Sequence, residues 1–218
     1  MSETTTTTPT STTDIDVPRP TDGDVLERIL QDHRLFEDLL RLARRNDTDR
    51  SSARQALAEV LVAHARSEEE KVYPTLRKDR AISEHEEEHG EEEHAEIIEA
   101  LLAFLQVEDT EGQEYDDALE DLATVVNHHS NEEEQTIINP SREDVSMEER
   151  ERLGAAWLAR RNELLDQGCA TTEQVAALLD EAVDEGTLAP EGAREKAEAI
   201  KAEAKEKAKE VEEAAKQD

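Results

Sequence analysis

Residues 64–74 read HARSEEEKVYP, and residues 128–135 read HHSNEEEQ. In each stretch a His precedes a Glu by four residues, His64 with Glu68 and His129 with Glu133. Four residues make about one helical turn, so imidazole and carboxylate stack on one face and can converge on one ion or on a pair. Apolar residues run into both motifs at helical steps. Leu57 and Leu61 lead to His64, Glu68 and Val72, while Leu119, Leu122 and Val126 lead to His129, Glu133 and Ile137. The spacing alone carries little weight, because with 57 acidic residues in the chain a His finds a Glu four places on roughly one time in five.

Phase is the stronger signal. Working outward, Val25, Leu26, Ile29, Leu30, His33, Phe36, Leu40 and Ala43 form one amphipathic stripe. A second follows the acidic run after Ile82, through His94, Ile97, Ile98, Leu101, Leu102 and Leu105. His33, His64, His94 and His129 thus fall on the apolar stripes of four different helices. A His lies on a stripe by chance about one time in three, so four together is roughly a one-in-eighty event. Four such helices with short polar connections make an all-α, up-down four-helix bundle. The second helix is expected to stop near Tyr73-Pro74, where proline restricts its predecessor, and the fourth before Asn139-Pro140.

The bundle and a following helix occupy residues 21–167. That helix reads SMEERERLGAAWLARRNELL, with Ser146 as N-cap, Glu149 as the second half of a capping box, and Leu153, Trp157 and Leu164 facing the bundle. Residues 1–20 are Thr-rich and apolar-poor, a disordered tail by composition. Residues 168–218 form a charged helical C-terminal extension. TTEQVAALLDEAVDEGTL is its short amphipathic part; beyond it Ala197, Ala204 and Val211 recur at seven with Ile200 between the first two. That thin stripe favours a solvated helix, with a homodimer through the C-terminal helices as the alternative.

Lys+Arg 25 against Asp+Glu 57 gives a net charge of −32, while Gly 7 and Pro 6 leave few breakers for a β-rich fold. So acidic a surface repels nucleic acid and anionic membranes, and it suits a salt-adapted organism. One cysteine, Cys169, excludes an intrachain disulfide and fits a reducing compartment. No apolar run reaches the roughly 18 residues of a membrane span, and the N-terminal residues lack the basic and apolar regions of a signal peptide, so a cytoplasmic protein is expected.

Buried ionised Glu68 and Glu133 would each cost several kcal/mol unpaired, and these faces offer few Lys or Arg. A dication, or two, resolves that cost. Imidazole and carboxylate without thiolate fit iron or manganese better than structural zinc. His128 with Glu132 offers the same spacing one step out of register; phase with Leu122 and Val126 favours His129 and Glu133. The run EHEEEHGEEEH reads mainly as a solvated acidic helix start.

The order His33, then His64 and Glu68 in HARSEEEKVYP, then His94 in HAEIIEALL, then HHSNEEEQ, resembles the hemerythrin-like HHE cation-binding family over about residues 21–167. LGAAWLARRNELL resembles the helix that commonly follows its bundle in prokaryotic members. The resemblance implies a bundle of hemerythrin type holding two non-haem iron ions. Glu68 and Glu133 would bridge them, with His33, His64, His94 and His129 as terminal ligands and O2 or another small diatomic molecule at an open position. Hemerythrin proper has a second His one turn before the position of His94, where this chain has Gly90. Either His89 swings inward at that glycine, or water, Glu87 or Glu91 completes the sphere. A module that binds O2 or senses oxygen, nitric oxide or iron level, without turnover, is the first expectation. A di-iron enzyme (a peroxidase or an iron-oxidising detoxifier) and a metal-free acidic scaffold are the alternatives.

Overall fold

A computed structural model describes residues 15–189. Among them the regular structure is helical: α1 (Val25–Ala43), α2 (Arg50–Ser67), a π-helical turn (Glu68–Val72), α3 (Tyr73–Lys78), α4 (Glu84–Gln106), α5 (Gln113–Glu133), a second π turn (Glu134–Ile138), α6 (Asn139–Asp144), α7 (Met147–Gln167) and α8 (Thr172–Glu185). Side chains fix several starts. Asp24 accepts from Leu26 N–H, Asp49 from Ser52 N–H, and Ser83 with Glu86 closes a capping box on α4. At Ser146 half of the expected box forms: its hydroxyl accepts from Glu149 N–H, but the Glu149 carboxylate is taken by Arg152.

Helices α1, α2, α4 and α5 close the bundle, with α1 against α2 and α5, and α4 against α5 and α2. The α7 helix lies across α1 and α2, and α8 lies against α4. Gly154 permits the first contact. A Cβ there would lie 3.0 Å from Val25 N and overlap the Gly23 carbonyl, so α7 approaches the start of α1 at backbone distance.

Two expected helix ends are corrected. The chain stays helical through Tyr73-Pro74 to Lys78 and through Asn139-Pro140 to Asp144. Proline lacks an N–H and its ring clashes with the carbonyl four residues back in a regular α-helix. In both places a π turn comes first, with Tyr73 N–H bonding to Glu68 O and Asn139 N–H to Glu134 O. The added residue per turn relieves the clash without ending the helix.

The core has two apolar clusters. The larger includes Phe36, Leu39, Leu57, Leu61, Leu101 and Leu122; the smaller includes Val25, Ile29, Val72, Leu76, Ile138 and Trp157. Val175, Ala176 and Leu179 of α8 join the larger cluster. Of the stretch read as a tail, residues 15–20 are described: Val17 is buried in the larger cluster, and the Pro18 and Pro20 carbonyls accept from Arg161 and Asn162. Leu153 and Trp157 are buried as expected of the following helix, and Leu164 is half-buried. The thiol of Cys169 packs against Glu59 O, and burial pushes its pKa up to about 12. The seam at Ala197, Ile200, Ala204 and Val211, and the homodimer it would support, lie outside the described residues. No helix among the described residues is long and apolar enough to cross a membrane.

Candidate metal centre

Helices α1, α2 and α5, the last two with their π turns, run from one apolar cluster to the other with the polar residues between, and α4 brings His94 to the end of the larger cluster. On α1, His33 separates Ile29 from Phe36. On the α2 path, His64 and Glu68 lie between Leu61 and Val72; on α4, His94 precedes Ile97; on α5, His129 and Glu133 lie between Val126 and Ile137. All six residues are buried, from 0 % to 5 % exposed. The apolar stripes therefore bring to one layer the four imidazoles and two carboxylates that helical phase singled out.

The Nε2 atoms point inward. His33 Nε2 lies 3.2 Å from Glu133 Oε2, His64 Nε2 3.1 Å from Glu68 Oε1, His94 Nε2 3.3 Å from Glu68 Oε2, and His129 Nε2 4.0 Å from Glu133 Oε2. These are close approaches rather than hydrogen bonds, for all four Nε2 atoms, Glu68 Oε1 and Glu133 Oε2 are buried without a hydrogen-bond partner. Two groups of ligand atoms each fall within 4.8 Å of one another: His33, His64, His129 and Glu133, and Glu68, His94 and His129.

Each imidazole turns its other nitrogen to an acidic residue of the preceding helix path, and the four pairs close a ring. Glu134 reaches His33 Nδ1 at 3.0 Å, Asp32 lies 3.4 Å from His64 Nδ1, Glu69 reaches His94 Nδ1 at 2.9 Å, and Glu93 reaches His129 Nδ1 at 3.2 Å. A carboxylate only accepts, so the hydrogen-bonded Nδ1 of His33, His94 and His129 carries the proton and Nε2 is presented to the layer, whereas His64 Nδ1 faces Asp32 without a hydrogen bond. Each acid is the sequence neighbour of an inward residue: Asp32 of His33, Glu69 of Glu68, Glu93 of His94, Glu134 of Glu133. None of the four was singled out from sequence, where 57 acidic residues hide the pattern.

Electrostatics point the same way. Burial opposes a charge on His33 and His94, yet facing carboxylates, Glu133 and Glu134 for His33 and Glu68 and Glu69 for His94, push each up to about 10. For Glu68, burial is outweighed by His64 and His94, which hold its carboxyl well below the usual range. His129 is held below its ordinary value, chiefly by burial. The layer draws positive charge to the inward nitrogens, where a proton and a metal ion compete for the same lone pair.

Tyr73 fills the gap left by Gly90. A Cβ at residue 90 would sit 3.0–3.1 Å from the Tyr73 ring and hydroxyl, so the side chain that is missing from α4 makes room for the phenol. The Tyr73 ring stacks on His94 at 5.7 Å and 11°, and its hydroxyl donates to Glu133 Oε1 at 3.1 Å and lies 3.5 Å from Glu68 Oε2. Burial and these carboxylates push the Tyr73 pKa well up, so the group stays a donor. Sequence reasoning missed it because it sits beyond the helix end assumed at proline; a π turn in HARSEEEKVYP would have brought it into phase.

Other candidates lie outside the layer. The His89 side chain is 42 % exposed and faces Glu92 and Glu93, so it does not swing inward at Gly90. His128 is 61 % exposed, 3.5 Å from Glu93, and Glu132 belongs to neither ligand group. One residue of helix rotates a side chain by about 100°, which carries His128 and Glu132 away from the face holding His129 and Glu133. Glu87 is held by Arg77 at 2.6 Å. Glu91 lines a cavity of about 260 Å³ between α2, α4 and α8 that reaches His94 and Glu69.

The donor set fits a metal cation. Glu68 and Glu133 pair with no Lys or Arg among the described residues, and the orphaned Nε2 atoms face them across one small volume. Nitrogen and oxygen donors without sulfur suit iron or manganese. Residues 24–139, more than half of the chain, match the family model for the hemerythrin HHE cation binding domain. Neither a curated protein nor a solved structure matches the chain.

Proposed function

The chain belongs to the hemerythrin family of HHE cation-binding domains, and from that premise we propose that it holds two non-haem iron ions and binds O2 or another small diatomic ligand, as a sensor or binding module rather than an enzyme. The observation that carries this reading is the set of four buried, unpartnered Nε2 atoms facing two buried carboxylates that no Lys or Arg among the described residues neutralises. His33, His64, His94 and His129 are the proposed terminal ligands. Glu68, with one oxygen toward His64 and the other toward His94, and Glu133, near both His33 and His129, are the proposed shared ligands. Iron held there would supply, in its ferrous form, the electrons with which a diatomic ligand is bound. The protein's part is to present Nε2 lone pairs, to fix His33, His94 and His129 through their Nδ1 carboxylates, and to flank the layer with two apolar clusters. Tyr73 adds a hydroxyl that donates a hydrogen bond into the layer.

A second reading, oxidation of ferrous iron, draws on the cavity beside His94, whose lining includes Glu69, Glu70, Glu91, Glu181 and Glu185, a path suited to a cation.

Metal analysis of the purified chain, reconstituted with ferrous iron under argon, tests the proposal. About two irons per chain are expected, with a charge-transfer band that changes when air is admitted, and loss of iron in His64→Ala. No iron in the wild type, or full iron in His64→Ala, would overturn it. Sustained turnover of ferrous iron or peroxide would favour the enzyme.

A further inference from the structure

One of the four carboxylate–imidazole pairs differs from the others. Three imidazoles hydrogen-bond glutamates through Nδ1 at 2.9–3.2 Å, but His64 Nδ1 stands 3.4 Å from Asp32, a shorter side chain, without a hydrogen bond. Asp32 differs also in its own partner. Arg161 of α7, 1 % exposed, grips both Asp32 oxygens, Nε to Oδ2 at 2.6 Å and Nη2 to Oδ1 at 2.8 Å. Among the other three acids, Glu69 meets Arg66 only at 3.7 Å on a half-buried edge, and Glu93 and Glu134 pair with no Lys or Arg among the described residues. The guanidinium is itself fixed, its Nη1 donating to Pro18 O at 3.1 Å, while Trp157, one turn earlier on α7, sets its ring edge-on to His64 at 5.7 Å and 86°.

We propose that Arg161 is a positioning residue of the metal centre, which acts through Asp32 to hold His64 in place and to make it the weakest of the four imidazole donors. This rests on the metal-binding reading above. A carboxylate strengthens an imidazole as a ligand by accepting its Nδ1 proton, and one that already accepts two short bonds from a guanidinium has less to offer. The four bundle helices alone would back every imidazole with a carboxylate free of a short guanidinium contact; α7 adds one at Asp32, so an iron bound by His64 would sit in a more electron-poor environment than its neighbour.

The test compares wild type, Arg161→Gln, Arg161→Lys and a double variant, Asp32→Leu with Arg161→Leu, each loaded with iron. Freed of the guanidinium, Asp32 backs His64 fully, so Arg161→Gln should keep its iron and show a more negative midpoint potential, with Arg161→Lys returning toward wild type. An unchanged potential in Arg161→Gln would overturn the proposal. If that variant fails to fold because it strands the Asp32 charge, the double variant decides, since a buried ion pair replaced by apolar residues is commonly tolerated. His64 then lacks a backing acid, and competition with a chelator should read an affinity about 10–100-fold lower; wild-type affinity would overturn the proposal. A wild type that takes up no iron would overturn the metal reading itself, an outcome distinct from unchanged variants of an iron-loaded protein.

Discussion

The hydroxyl of Tyr73 donates to Glu133 from 3.1 Å, and the ring reaches that place because residue 90 carries no side chain. In the protein stripped of metal by a chelator, Tyr73→Phe leaves Glu133 Oε1 without its donor while the stacking on His94 stays. A hydrogen bond to a charged group contributes about 1.5–3 kcal/mol, and urea unfolding of the variant should show a loss of that size. No measurable loss would mean that the hydroxyl contact is absent in solution. At this scale the inward residues were legible, because each inherits its direction from the apolar residues three and four places away. Tyr73, Asp32, Glu69, Glu93 and Glu134 were not, because what marks them is a partner on another helix.

The two π turns and α7 are the elements that set the geometry. Each π turn starts at or just after a glutamate of the layer, Glu68 or Glu133, and precedes a proline, so an element that sequence reasoning took as a helix end is a change of helical register. The first re-aims the chain so that Tyr73 faces Gly90. The α7 helix depends on Gly154 for its approach to Gly23 and Val25. In Gly154→Ala the new methyl meets backbone, which cannot rotate away, and overpacking of this kind costs about 1–3 kcal/mol. Chemical denaturation should show that loss, although alanine is the better helix former. Unchanged or higher stability would mean that α7 docks less closely than described.

Net charge acts on the whole molecule. A charge of −32 on 218 residues is self-repulsion that a compact fold concentrates. Arginines offset part of it locally, as where Arg160 holds Glu70 at 2.9 and 3.0 Å and links α7 to the first π turn. Raising salt from about 0.1 M to about 1 M shortens the screening length from about 10 Å to about 3 Å. The thermal midpoint is therefore expected to rise over that range, as repulsion relaxes by more than the exposed ion pairs weaken. A flat or falling midpoint would mean that the pairs, and not the net charge, dominate.

Taken alone, the sequence determined the four bundle helices, the inward face of each, and the six residues His33, His64, Glu68, His94, His129 and Glu133 on those faces, since helical periodicity is a local property and the apolar stripe records it. It also determined the family, through the order of those residues. The tertiary structure decided which acid backs which imidazole, where Tyr73 lies, how the chain passes its two prolines, and that Arg161 of a fifth helix holds Asp32. Those features depend on the rotation of one helix against another and on a choice among 57 chemically similar acids, and neither is written in the spacing along any one helix.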